Sequence, residues 1–218
     1  MSTTQPARAP AARSAGQQAI LDAAVQLFSK HGFDGVSMRT IAQEAGVSKS
    51  NIYHHFRSKE ELYLAIMQSS AAWLSELVDT LAEGDGTFEQ RLRAFAQGHM
   101  EHLFAHTMTV RLLLREVFTG DEKWQRLLID HVVGDIVRRL RAIFEKGQAE
   151  GVLRADLDPG LCAMQILGGD FFYFQSYGML KFIPEVAFAQ DRELYSKAMA
   201  DILLGGMLVA NGRTEASS

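Results

Sequence analysis

Of its 218 residues the chain has one cysteine and four prolines. A lone Cys162 excludes an internal disulfide and suits a reducing compartment, the cytoplasm. Scarce proline, beside abundant Ala, Leu, Gln, Glu and Arg, favours helix. No run of 18 apolar residues occurs, so neither a spanning helix nor a membrane partner is expected. The opening "MSTTQPARAPAARSAG" lacks the apolar core of a signal peptide; residues 1–14 read as a disordered, weakly basic arm. Strand-like alternation and repeats of solenoid period are missing too. So are a nucleophile elbow, a phosphate loop and paired catalytic carboxylates, which argues against an enzyme. No cofactor and no metal site are expected.

The length suits one large domain or two small ones. Hydrophobic residues make up 47% and charged residues 22%, an ordinary globular balance. The net charge of −4 hides an asymmetry. Residues 1–60 hold seven Lys/Arg against four Asp/Glu, and the remainder hold fifteen against twenty-two. A basic first part in an acidic chain suggests that this part meets a polyanion.

Helix signals recur along the chain. Ser14 with Gln17, Ser58 with Glu61 and Thr87 with Gln90 have capping-box spacing, which satisfies orphan backbone donors reciprocally. In the first helix Ile20, Ala24, Leu27 and Phe28 recur three or four apart, and Gly32 ends it. Ser37 and Ser48 cap a second and a third, both short. A fourth runs from Ser58 to about Glu83, a fifth from Thr87 to about His106, and a sixth roughly from Thr109 to Phe118. Asp121 caps a seventh lasting to Gly151. Asp158 and Pro159 start an eighth that reaches about Leu180, because proline at the first helical position lacks only a donor that is orphaned anyway. A ninth spans about Asp191 to Val209. The expected fold is all-α, with about nine helices.

"AGVS" joins the second and third helices. Gly46 permits the left-handed turn of a helix–turn–helix over residues 37–56, and Ile41, Val47, Ile52 and Phe56 set the angle. Lys49, Ser50, Asn51, Tyr53 and His54 are left on the outer surface. They offer donors for base edges and phosphates, with no carboxylate to repel the DNA backbone. A helix this short is not stable alone; its neighbours hold it, and its polar face is kept for DNA.

The stretch "ILDAAVQLFSKHGFDGVSMRTIAQEAGVSKSNIYHHFRSKEELYLAI" closely resembles the DNA-binding domain of TetR-family transcriptional repressors. Helix, Gly-aromatic, "IAQEAGVS", "IYHHF" and "SKEEL" follow in order. The resemblance covers residues 15–67. Residues 68–211 resemble the family's regulatory ligand-binding and dimerisation domain in architecture alone, and 212–218 form a flexible tail. The resemblance implies that Arg39 contacts a guanine, that Lys49 and Ser50 meet base edges, and that Thr40, Asn51, Tyr53, His54 and Lys59 face phosphates, with Ser48 in the same set. Lys59 also lies at the positive end of the fourth helix. A homodimer is implied as well, with recognition helices one DNA turn (~34–36 Å) apart on a palindromic operator. A small-molecule effector that prefers the released conformation would shift the fourth helix and free the DNA. The last two helices would pair with their symmetry mates, making Gly168, Gly169, Ala198, Ile202, Gly205 and Gly206 candidates for the interface.

Phe95, Leu103, Leu112, Leu113, Phe144 and Phe172 suggest an apolar cavity for a hydrophobic or aromatic effector. Trp73 and Leu77 on the fourth helix, and His99, are candidate contacts. The alternative is a DNA-binding dimer with no effector, constitutive or regulated by a protein partner; an open cavity would separate the two. His99, His102 and His106 read as a polar or pocket-lining stripe rather than a metal site, since the outer two lie ~10 Å apart along the axis. Asp170, in the apolar "LGGDFFYFQSYGML", needs a partner: an arginine across the dimer interface or a polar group of the ligand.

Overall fold

Side chains set the helix starts where the caps stand in the sequence. In the computed structural model, which describes residues 14–209, Ser14, Ser37, Ser48, Thr87, Asp121, Asp158 and Asp191 each accept a backbone N–H three residues on, at 2.8–3.2 Å. Each such cap contributes about 1 kcal/mol. Apart from Ser14, the expected arm lies outside the described residues, as does the tail. The helices are α1 (Ala15–His31), α2 (Met38–Glu44), α3 (Lys49–His55), α4 (Lys59–Glu83), α5 (Phe88–Ala105), α6 (Thr107–Thr119), α7 (Glu122–Leu128), α8 (Gly134–Ala149), α9 (Pro159–Leu180) and α10 (Arg192–Met207). No helix among the described residues is long and apolar enough to cross a membrane.

The expected seventh helix is continuous but not uniform. A π turn, Ile129–Val133, joins α7 to α8. Counted as one helix, this segment brings the α-helices of the described residues to nine. The turn ends at Gly134, whose N–H donates to the Ile129 carbonyl. A Cβ on Gly134 would stand 2.4 Å from that oxygen, so the glycine is what lets the turn close.

Two compact units divide between Ile66 and Met67. In the first, the head, α1 packs on α2 and α3. Ile20, Phe28, Ile41, Ile52, Leu62 and Tyr63 are fully buried, each burial stabilising by about 1.5–3 kcal/mol. Phe28, Phe33 and Tyr63 meet pairwise with centroids 4.9–5.8 Å apart. In the second unit, the body, α5 packs on α9 and α10, and α8 packs on α9. Tyr173 and Tyr195 stack at 3.9 Å. Their hydroxyls donate to the carbonyls of Phe188 and Gly169. Arg139 on α8 holds α4 through Ser75 and Asp79. Arg154 N–H donates to the Met207 carbonyl and Val209 N–H to that of Val152, which ties the end of α10 to the loop after α8.

Candidate functional site

The head presents α3 through a tight turn. Gly46 takes φ +66°; its N–H donates to the Gln43 carbonyl and Val47 N–H to that of Ala42. These two bonds close the end of α2, and a side chain at this φ would be strained. Arg39, Thr40, Ser48, Lys49, Ser50, Asn51, Tyr53 and His54 are all exposed on this unit. Ser48 Oγ caps Asn51 N and also meets Ser50 Oγ at 3.1 Å. Thr40 Oγ1 lies 2.8 Å from Ser37 Oγ. The hydroxyls are therefore pre-positioned, and α3 carries no carboxylate.

Lys59 is placed otherwise than expected. Its ammonium donates to the carbonyls of Phe33 and Val36 at 2.9 and 3.0 Å and sits 4.2 Å from the Phe33 ring centroid. It ties the start of α4 to the turn after α1 instead of standing free for a phosphate. The 23 and 26 residues separating these partners put the contact beyond any local pattern.

The body encloses a cavity of about 660 Å³, within the ~300–1,000 Å³ usual for ligand sites. Its walls are Ala71 and Leu74 of α4; Leu103 of α5; Val110, Leu113 and Leu114 of α6; Val132, Val133, Ile136 and Val137 across the π turn; and Leu167 and Phe171 of α9. Val117, Phe118, Met164 and Phe172 line it from partly exposed positions, and its polar side chains are Ser70, His99, His102 and Gln175. Of the residues expected at an effector, His99, Leu103, Leu113 and Phe172 line the cavity. Trp73, Leu77, Phe95, Leu112 and Phe144 do not. Trp73 stacks on His102 at 4.1 Å, nearly parallel, and Leu77 abuts Gly98, where a Cβ would approach it to 3.1 Å. Phe95 stacks on His99, and Phe144 meets Phe88 edge-on. Phe95 and Phe144 are buried in the core, whereas Trp73 and Leu77 are half-buried. The valines of the π turn were missed, because a uniform helix would have been assumed there; Gly134 was the available signal.

Two histidines supply the polar chemistry. His99 Nδ1 lies 2.7 Å from Asp170 Oδ2, both side chains 2% exposed. Asp170 thus finds a partner within the chain, 71 residues away. Burial pushes its carboxyl above the usual range, and the bond to His99 opposes this. His102 is pushed down to about 4, by desolvation first, then by His106 and His99, against a hydrogen bond to the Ser70 backbone. The His106 ring lies tilted against that of His102, with centroids 4.4 Å apart.

Among the interface candidates, Gly168, Ala198, Ile202, Gly205 and Gly206 are exposed. Gly169 is not available in the same way: a Cβ there would stand 3.3–3.4 Å from Met199 and the Tyr195 hydroxyl. It serves the close approach of α9 to α10 inside one chain.

Residues 20–66 match the family described as bacterial regulatory proteins, tetR family, and residues 89–200 match the tetracyclin repressor-like C-terminal domain. The chain is 32% identical over 136 residues to the HTH-type transcriptional repressor AcnR of Corynebacterium glutamicum, covering 61% of this chain and 68% of that protein. It is 30% identical over 155 residues to the HTH-type transcriptional repressor NicS of Pseudomonas putida, covering 71% and 73%. Among solved structures, the transcriptional regulator FadR of Bacillus subtilis in complex with stearoyl-CoA shares the fold, with a TM-score of 0.71 at 19% identity over 87% of this chain and 98% of that one.

Proposed function

The chain belongs to the TetR family of bacterial regulatory proteins and is a DNA-binding transcriptional regulator, not an enzyme, and we propose that it acts as a homodimeric repressor released from a palindromic operator by a small hydrophobic or aromatic effector. The observation that carries the effector reading is the apolar cavity in the body. FadR holds stearoyl-CoA, which supports an apolar occupant. No lysine or arginine lines the cavity among the described residues, so the phosphates of an acyl-CoA would find no counter-charge inside it.

In this reading Arg39, Thr40, Ser48, Lys49, Ser50, Asn51, Tyr53 and His54 form the DNA-facing set. Leu161, Met164, Phe172 and Met179 on α9 and Leu194 and Ile202 on α10 are exposed apolar side chains, which supports pairing of these helices with a second copy. Coupling runs through α4, which contributes Leu62, Tyr63 and Ile66 to the head core and Ser70, Ala71 and Leu74 to the cavity.

The test is a thermal-shift screen of metabolites, followed by fluorescence anisotropy on palindromic duplexes from the region around the chain's own coding sequence. A true effector weakens operator binding by about 5–150-fold, and operator weakens effector binding by the same factor. Arg39→Ala relaxes preference at one base pair by about 1–3 kcal/mol; equal loss on every operator variant would make Arg39 a backbone contact. If hits bind yet leave the operator untouched, the chain is an effector-independent DNA binder.

A further inference from the structure

His99 and Asp170 form a buried pair, and His99 stands between the carboxyl and the cavity. Its Nδ1 lies 2.7 Å from Asp170 Oδ2. The ring also stacks on Phe95 and meets Phe171 at 5.2 Å and 72°, so its orientation is set by three neighbours. His99 lines the cavity and Asp170 does not. The other ring nitrogen, Nε2, points away from the carboxyl, because the two nitrogens of an imidazole face different directions. Among the described residues Nε2 has no hydrogen-bond partner, yet it is not sealed inside the protein as His102 Nε2 is. The residue as a whole is 1% exposed, so the opening at Nε2 gives onto the cavity that His99 lines.

The pair holds one proton more than a neutral imidazole beside a carboxylate. Among the described residues the Asp170 carboxyl has one hydrogen-bond partner, His99, too few to sustain a bare negative charge in an apolar interior. Its titratable neighbours add no positive charge. His102 is pushed down to about 4, and burial pushes the Tyr195 hydroxyl up, so both are neutral near pH 7. If the extra proton is on the ring, both nitrogens carry hydrogen. If it is on the carboxyl, the carboxyl donates to Nδ1 and the ring's own proton is on Nε2. In either form Nε2–H is a donor facing an apolar space.

Resting on the effector-cavity reading above, we propose that the effector is an uncharged, largely apolar ketone or ester, and that its carbonyl oxygen accepts a hydrogen bond from His99 Nε2. A carboxylate would bring a net negative charge that no lysine or arginine of the lining offsets. An ammonium has no acceptor to offer this donor. A hydrocarbon of the same shape fills the walls and leaves the donor unpaired.

The test is isothermal titration calorimetry on the full chain with three probes of matched shape: 4-butylacetophenone, 4-butyl-α-methylstyrene, in which a methylene replaces the carbonyl oxygen, and 4-butylbenzoate. The ketone is expected to bind about 5–50-fold more tightly than the styrene, the worth of satisfying one buried donor, and the benzoate more weakly than the ketone. The carbonyl stretch of the bound ketone should move to lower wavenumber in the infrared. In His99→Leu the preference for ketone over styrene and the infrared shift should both vanish while the styrene still binds. His99→Gln, which keeps a donor, should retain part of each and serves in place of His99→Leu if that variant fails to fold. Equal affinities of the wild-type chain for ketone and styrene, or an undiminished preference in either folded variant, would overturn the assignment of His99 while leaving the cavity as an effector site. If none of the three binds, the cavity reading itself falls, and this inference with it.

Discussion

Replacing Lys59 with alanine separates a structural pin from a phosphate contact. The ammonium donates to two backbone carbonyls, of Phe33 and Val36, at 2.9 and 3.0 Å. A charged donor makes such bonds worth about 1.5–3 kcal/mol each when buried. Lys59 is only half-buried, and water can replace part of the loss, so about 1 kcal/mol each is the fair figure. The Phe33 ring at 4.2 Å adds about 0.5–1 kcal/mol at a partly exposed site. The total is about 2–3 kcal/mol, all of it in the head. Hydrogen exchange read by mass spectrometry resolves the two units without requiring the whole chain to unfold in one step. Peptides from residues 15–66 should exchange about 30–150-fold faster in Lys59→Ala, since each 1.4 kcal/mol is a factor of ten. Peptides from the body should be unchanged. Lys59→Met, which keeps an apolar stem on Phe33, should recover only a small part. The reasoning is refuted if head exchange is unaltered while the slope of log affinity against log salt drops by about one unit, because that is the signature of a lost phosphate contact.

Three further outcomes follow. Ile202 is 68% exposed in the single chain, so Ile202→Arg should leave its fold intact and still yield monomers in sedimentation, because an unpaired charge in an apolar interface is expensive; an intact dimer would move the interface elsewhere. Asp170→Ala strands the buried His99 Nδ1 and should cost about 1–3 kcal/mol in urea unfolding followed by Trp fluorescence, whereas Asp170→Asn, whose amide can still accept or donate, should cost less than half of that; equal losses would mean that the hydrogen bond contributes little. The folded His102 value of about 4 lies below the ordinary 6.5, so the unfolded chain binds more protons between these values and stability falls as pH drops through this window. By pH 5 the body should lose about 1–2 kcal/mol relative to pH 7.5, and His102→Gln should show a shallower decline; an identical decline would clear His102 of the effect.

What could be read from the sequence alone was what depends on neighbours along the chain. Caps at Ser14, Ser37, Ser48, Thr87, Asp121 and Asp158, the left-handed Gly46 and the polar surface of α3 all rest on contacts within five residues, and the ordered head motif rests on the same short range. The helix count and the exposed polar residues of α2 and α3 follow from this. The uses of side chains across the fold did not. Lys59 looked like a free cation at a helix start until the carbonyls of Phe33 and Val36 came within reach. Asp170 needed a partner, but His99 stands 71 residues away. The cavity is assembled from α4, α5, α6, the π turn with α8, and α9. On α9 the apolar residues cover nearly every face, so periodicity could not tell Phe172 at the cavity from Phe174 in the core. Trp73 and Ser70 lie three residues apart on one helix, yet only Ser70 lines the cavity, because His102 covers the indole. Backbone capping is decided by a few consecutive dihedrals, whereas the space a side chain meets is decided by helices that approach only after folding, and that approach has no imprint at short range.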